Sequence, residues 1–147
     1  MMGSTSGPWM NQHSVEFVDD HRISVFNNNV IGRHQYDFIS QKDHNTVVVY
    51  NFKNGGTSEP FKNVLNEARP RTRTQGRARI LPDGELFIEE SNYGRQMRFS
   101  VDRLMWSRVN KYDGESVAML GSSRYLTNSE AEGPVKAIKL KFCVRRE

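Results

Sequence analysis

Asn11 to Val30 reads NQHSVEFVDDHRISVFNNNV, and Thr74 to Arg95 reads TQGRARILPDGELFIEESNYGR. A shift of 63 positions places Gln12 on Gln75, Phe17 on Ile80, Val18 on Leu81, Asp20 on Asp83, Ile23 on Leu86, Val25 on Ile88 and Asn29 on Asn92. The same shift superposes apolar positions, a turn aspartate and a loop asparagine, so one supersecondary unit is used twice. In each copy an alternating strand enters an Asp-centred turn, a second apolar strand follows, and an Asn-containing loop ends it. Such a hairpin is half of a four-stranded antiparallel blade, and its repetition predicts an all-β chain of the β-propeller type.

Working outward, Ser14 to Val18 alternates with Val15 and Phe17 on one face, the period of a strand. Arg22 to Asn27 is the second strand and Asn27 to Asn29 its terminating turn, because asparagine tolerates left-handed backbone. Gln35 to Ser40 and the apolar TVVVYNF of Thr46 to Phe52 supply the third and fourth strands of a blade over residues 11–66. The second blade covers 67–110. It has a Pro82-Asp83-Gly84 turn, Met97, Phe99 and Val101 facing inward, and Trp106 as the packing anchor of its last strand. Between the two, Phe61, Val64 and Leu65 fit either a short helix or a crossing strand. Residues 111–147 form a C-terminal extension. Thr127-Asn128-Ser129-Glu130 has capping-box spacing, Gly133-Pro134 is expected to stop a helix within one turn, and the alternation from Ala137 to Val144 predicts a closing strand. Residues 1–10 read as a disordered tail.

The 147 residues are 36% hydrophobic and 26% charged, ordinary for a globular chain. No apolar run reaches the roughly 18 residues of a membrane span, so no membrane is expected, and Met1 to Gln12 has no secretory-signal pattern. One cysteine, Cys143, excludes an internal disulfide. The net charge of +4 points to no nucleic acid, although Arg69, Arg71, Arg73, Arg77 and Arg79 crowd one short stretch. That stretch lacks interleaved aromatics on which bases stack. His21, His34 and His44 have no metal-ligand spacing, so neither metal nor cofactor is expected.

NQHSVEFVDD, ISVFNNN, GRARILPDGELFIEESNYGR, LMWSRVNKYDG and SSRYLT together resemble the C-terminal region of the bacterial arylsulfate sulfotransferase (arylsulfotransferase) family, over roughly Pro8 to Cys143. The resemblance implies about two blades of a six-bladed propeller and a periplasmic parent. It also implies transfer of a sulfuryl group from an aryl sulfate to a phenol, in which an active-site His carries the group covalently. Fixed cationic and N–H donors suit that chemistry, because the transferring group spreads negative charge over its oxygens.

On that resemblance His13 is the catalytic residue, as a donor to a sulfate oxygen or as the acid for the leaving phenolate. A surface histidine at a strand end is the alternative. Arg77, Arg79 and Arg95 are substrate-binding candidates through their forked N–H groups, and Asn29 and Asn92 through their amides, against readings as exposed strand face and turn residues. The shift puts Gly76 on His13, so the second copy carries no histidine nucleophile. Two functions follow: a propeller segment active in sulfuryl transfer when its ring is complete, or a non-catalytic relative that binds an anionic or sulfated ligand. Either way a bare blade face predicts self-association or pairing with the missing blades.

Overall fold

The computed structural model describes residues 12–34, 37–40 and 43–143; the segment 1–10, expected to be a tail, lies outside them. The strands are β1 (Gln12–Asp19), β2 (Arg22–Asn27), β3 (Val30–His34), β4 (Asp37–Ser40), β5 (Thr46–Asn51), β6 (Thr57–Ser58), β7 (Arg77–Ile80), β8 (Leu86–Glu90), β9 (Arg95–Phe99) and β10 (Leu104–Val109). Helix α1 (Lys62–Ala68) lies between β6 and β7, a 3₁₀ turn (Ser91–Tyr93) joins β8 to β9, and α2 (Asn128–Cys143) comes last. They form two open, four-stranded antiparallel sheets, ordered β1-β2-β5-β6 and β7-β8-β9-β10.

The repeat is real in three dimensions. Phe17 pairs with Ile23 and Val15 with Val25 in the first hairpin. Their counterparts at the 63-residue shift, Ile80 with Leu86 and Ala78 with Ile88, pair in the second. Equal turn lengths set this register, and alternation then sends the same positions to the same face.

The core lies between the sheets. Phe26 and Val47 from one face of the first meet Ala78, Leu86, Ile88, Met97 and Phe99 of the second, and α1 closes the side with Phe61, Val64 and Leu65. The face of the second sheet carrying Ala78 and Ile80 is thus covered by its neighbour. On the first sheet the equivalent residues, Val15 and Phe17, are 62% and 83% exposed.

The asparagine loop does more than turn the chain. Asn28 Nδ2 donates to the carbonyls of Thr72 (3.0 Å) and Gln75 (2.8 Å). Asn45 Nδ2 donates to those of Asn28 (2.8 Å) and Thr72 (3.1 Å). All three of Asn28, Asn45 and Thr72 are buried, so these bonds satisfy main-chain groups that water cannot reach and tie the 70–76 segment to the first sheet.

Four expectations are corrected. The strand expected from Gln35 to Ser40, whose first two residues lie outside the described ones, is not the third strand of the first sheet: β4 pairs only with β3 in a separate two-stranded sheet, β5 takes the third place, and the two-residue β6 the fourth. Val101 is 63% exposed beyond the end of β9, while Met97 and Phe99 are fully buried. Trp106 anchors little, because β10 is exposed along its whole length and Trp106 meets Phe87 only at 6.3 Å between ring centroids. The closing strand is instead helix α2, which runs through Pro134. The capping box forms: Thr127 N–H donates to Glu130 Oε2 at 2.8 Å, and Glu130 N–H to Thr127 Oγ1 at 3.4 Å. A strand needs a sheet edge for its peptide groups, whereas a helix satisfies its own, so a capped start overrides both the alternation and the proline.

Candidate functional site

The first strands of the two sheets, β1 and β7, run near one another, and the cleft at their N-terminal ends holds His13. The cleft has a volume of about 400 Å³ and is lined by His13, Ser14, Gly76, Arg77, Glu89 and Ser91, among others. His13 is exposed to solvent there.

The pairing register changes the meaning of the repeat at this point. Ser14 has φ of 53° and sits in a bulge, so His13 rather than Ser14 pairs with Phe26. In the second hairpin Arg77 pairs with Glu89, the position 63 residues beyond Phe26. The counterpart of His13 in space is therefore Arg77, not Gly76, because a bulge inserts one residue without changing the partner strand. Gly76 itself leaves no room for a side chain: its φ is +93°, and a Cβ there would lie 2.5 Å from both Phe26 Cε1 and Thr72 Cγ2.

Arg77 forms the wall between this cleft and a second one of about 280 Å³, lined by Glu16, Arg77, Arg79, Phe87, Ser123, Arg124 and Tyr125. Both clefts are roofed by the C-terminal extension, which crosses the face of the second sheet turned away from the core. Arg77 donates to Ser122 Oγ at 3.1 Å, Arg79 to the Tyr125 carbonyl at 3.1 Å, and Gln96 to Ser123 Oγ at 2.7 Å. The Tyr125 ring lies 5.6 Å from that of Phe87, and the Arg98 guanidinium stands 5.0 Å over it.

Glu89 anchors this roof. Its buried carboxylate accepts from Ser91 Oγ at 2.5 Å, from Ser122 N–H at 3.2 Å and from Ser123 N–H. Burial pushes its carboxyl up, but the bonds from Ser123, Ser91 and Ser122 together outweigh that and hold it below the usual value. A depressed carboxyl contributes stability that is complete above its unfolded value, about 4.3, and is lost as the pH falls through the lower folded value. We therefore expect the Ser122 and Ser123 amide protons to keep their shifts from pH 7 to 5. They should move upfield together in acid below about pH 4.3, and Glu89→Gln should abolish that titration in NMR spectra.

The other sequence-derived site residues do not join these clefts. Asn29 Nδ2 donates to the His44 carbonyl at 2.9 Å and to Thr46 Oγ1 at 3.2 Å. Asn92 Oδ1 accepts from Thr72 Oγ1 (2.6 Å), Arg73 N–H (2.9 Å) and Thr74 N–H (3.0 Å). Arg95 forms a fork with the buried carboxylate of Glu90, through Nε and, at 2.7 Å, through Nη2. That bond raises the Arg95 guanidinium above its ordinary value. His44, expected to be solvated, is buried with Nδ1 2.7 Å from Asp43 Oδ1. Sequence reasoning did not place Glu89, Ser91 or Ser122 at the site. Strand alternation from Arg79 and Phe87 places Glu89 beside Arg77, a signal present in the sequence; nothing local marks Ser122.

Comparison with known proteins finds no match among curated proteins and none among solved structures. The family model described as Arylsulfotransferase (ASST) matches residues 2–111, which span β1 to β10 and contain His13, Gly76, Arg77 and Glu89. The match covers three-quarters of the sequence and both sheets, and on it the chain belongs to the arylsulfotransferase family.

Proposed function

We propose that this chain is the two-blade portion of a propeller that transfers a sulfuryl group from an aryl sulfate to a phenol once the remaining blades are present, with 11–66 and 67–110 as the blades. The observation that carries the reading is the spatial equivalence of His13 and Arg77, two groups able to donate to sulfate oxygens at matching positions of adjacent sheets. The bare Val15 and Phe17 face supports a further blade on that side, since the equivalent Ala78 and Ile80 pack against the next sheet. In this scheme an imidazole from another blade attacks sulfur and the bond from sulfur to the aryl oxygen breaks. His13 delivers its proton to the leaving phenolate. Arg77 holds the sulfuryl oxygens through its fork, and the acceptor phenol then gives its proton to His13 and takes the group as its oxygen bonds to sulfur and the bond from sulfur to the imidazole breaks.

The test is phenol-dependent release of 4-nitrophenolate from 4-nitrophenyl sulfate by the chain supplied with its remaining blades. His13→Ala should slow it by about 100-fold or more, the scale of a general acid. Full activity in that variant would end the assignment of His13.

Gly76 favours a second reading. Its packing against Phe26 and Thr72 excludes a histidine at the sequence-equivalent place. That suits a relative that binds a sulfated ligand without transferring the group. Binding of 4-nitrophenyl sulfate with no 4-nitrophenolate released by the completed ring would select it.

A further inference from the structure

We propose that the second cleft, on the far side of Arg77 from His13, is a separate binding site for a small tetrahedral oxyanion such as sulfate or phosphate, held by Arg77, Arg79 and Arg124. The argument is one of charge and of donors. Three guanidiniums line about 280 Å³ of space, and Glu16 is the only carboxylate lining it among the described residues. A guanidinium has five N–H donors. Arg77 spends its own on Ser122 Oγ and on Glu16, at 3.3 Å. Arg79 donates to the Tyr125 carbonyl and stands 3.9 Å from Glu130. Arg124 makes no hydrogen bond or ion pair with any described residue. The site therefore carries more positive charge and more donors than its own acceptors neutralise.

Position supports the same conclusion. Strand alternation fixes Arg77 and Arg79 on one face of β7, and the Tyr125 carbonyl pins the Arg79 fork, so two of the three cations are ordered before any ligand arrives. The buried ring of Phe87 and the half-buried ring of Tyr125 form an apolar wall, where a charge-assisted hydrogen bond is stronger than in open water. All three guanidiniums come from this chain. The site rests on the sulfuryl-transfer reading only through Arg77, which borders both clefts.

The experiment is isothermal titration calorimetry of the purified chain with sodium sulfate and, in parallel, sodium phosphate at fixed ionic strength. We expect one saturable site for at least one of the two. Arg124→Ala should weaken it by about 10-fold, the worth of one charge-assisted hydrogen bond. Glu16→Gln, which removes the competing carboxylate, should tighten it several-fold, a gain that misfolding cannot produce. His13→Ala, on the other side of Arg77, should leave it unchanged, which separates this site from the transfer site. Saturable binding of neither anion would overturn the proposal. So would binding lost in His13→Ala and kept in Arg124→Ala, or heat that appears only with a polyanion such as DNA.

Discussion

Gly76→Ala should lower the unfolding free energy by about 3 kcal/mol, from roughly 1–2 for a left-handed backbone with a side chain and roughly 1–3 for overpacking. Both contributions are visible: φ is +93°, and the added methyl would strike Phe26 and Thr72, each essentially buried. Gly84 separates them, since its φ is +83° but nothing lies within 4 Å of its would-be Cβ. Gly84→Ala should thus cost only the conformational part, about 1 kcal/mol. Urea unfolding of the two variants checks both numbers. Equal losses would mean that Phe26 and Thr72 give way and that Gly76 is there for its backbone only.

Arg95→Ala should cost about 2–3 kcal/mol, below the 3–5 of a fully buried broken pair because Arg95 itself is partly solvated. Glu90 is 2% exposed and accepts both arms of the Arg95 fork along with the Arg71 N–H. Removing the guanidinium leaves a buried carboxylate with the Arg71 N–H as a main-chain donor and without the Arg95 countercharge. Glu90→Gln and the double variant complete a cycle whose coupling energy measures the pair. Sulfate affinity should not change in Arg95→Ala. A loss of affinity with stability intact would return Arg95 to the substrate-binding set.

The repeat, its turn positions and its strand faces were legible in the sequence, because alternation and turn chemistry are local signals that pairing preserves. Phe17, Ile23, Ile80 and Leu86 take the register that the 63-residue shift implies. The β3–β4 hairpin was not legible, since a strand pattern does not name its partner. Helix α2 was misread because the alternation of Ile138, Leu140 and Phe142 outweighed a capping box that proved decisive. His13 and Arg77, both singled out in the sequence, line one cleft, but their equivalence was hidden by a one-residue bulge at Ser14 that alignment cannot see. Asn29, Asn92 and Arg95 carry donors suited to a ligand and spend them on the protein's own acceptors. Residue type announces hydrogen-bonding capacity; only the fold shows where it is directed.

The extension laid over Arg77, Phe87 and Arg98 gives the molecule a polarity. Glu89 gives its carboxylate to Ser91, Ser122 and Ser123, and Phe87 meets the Tyr125 ring, so the outer face of the second sheet is occupied by its own chain, whereas Val15 and Phe17 stay bare on the first.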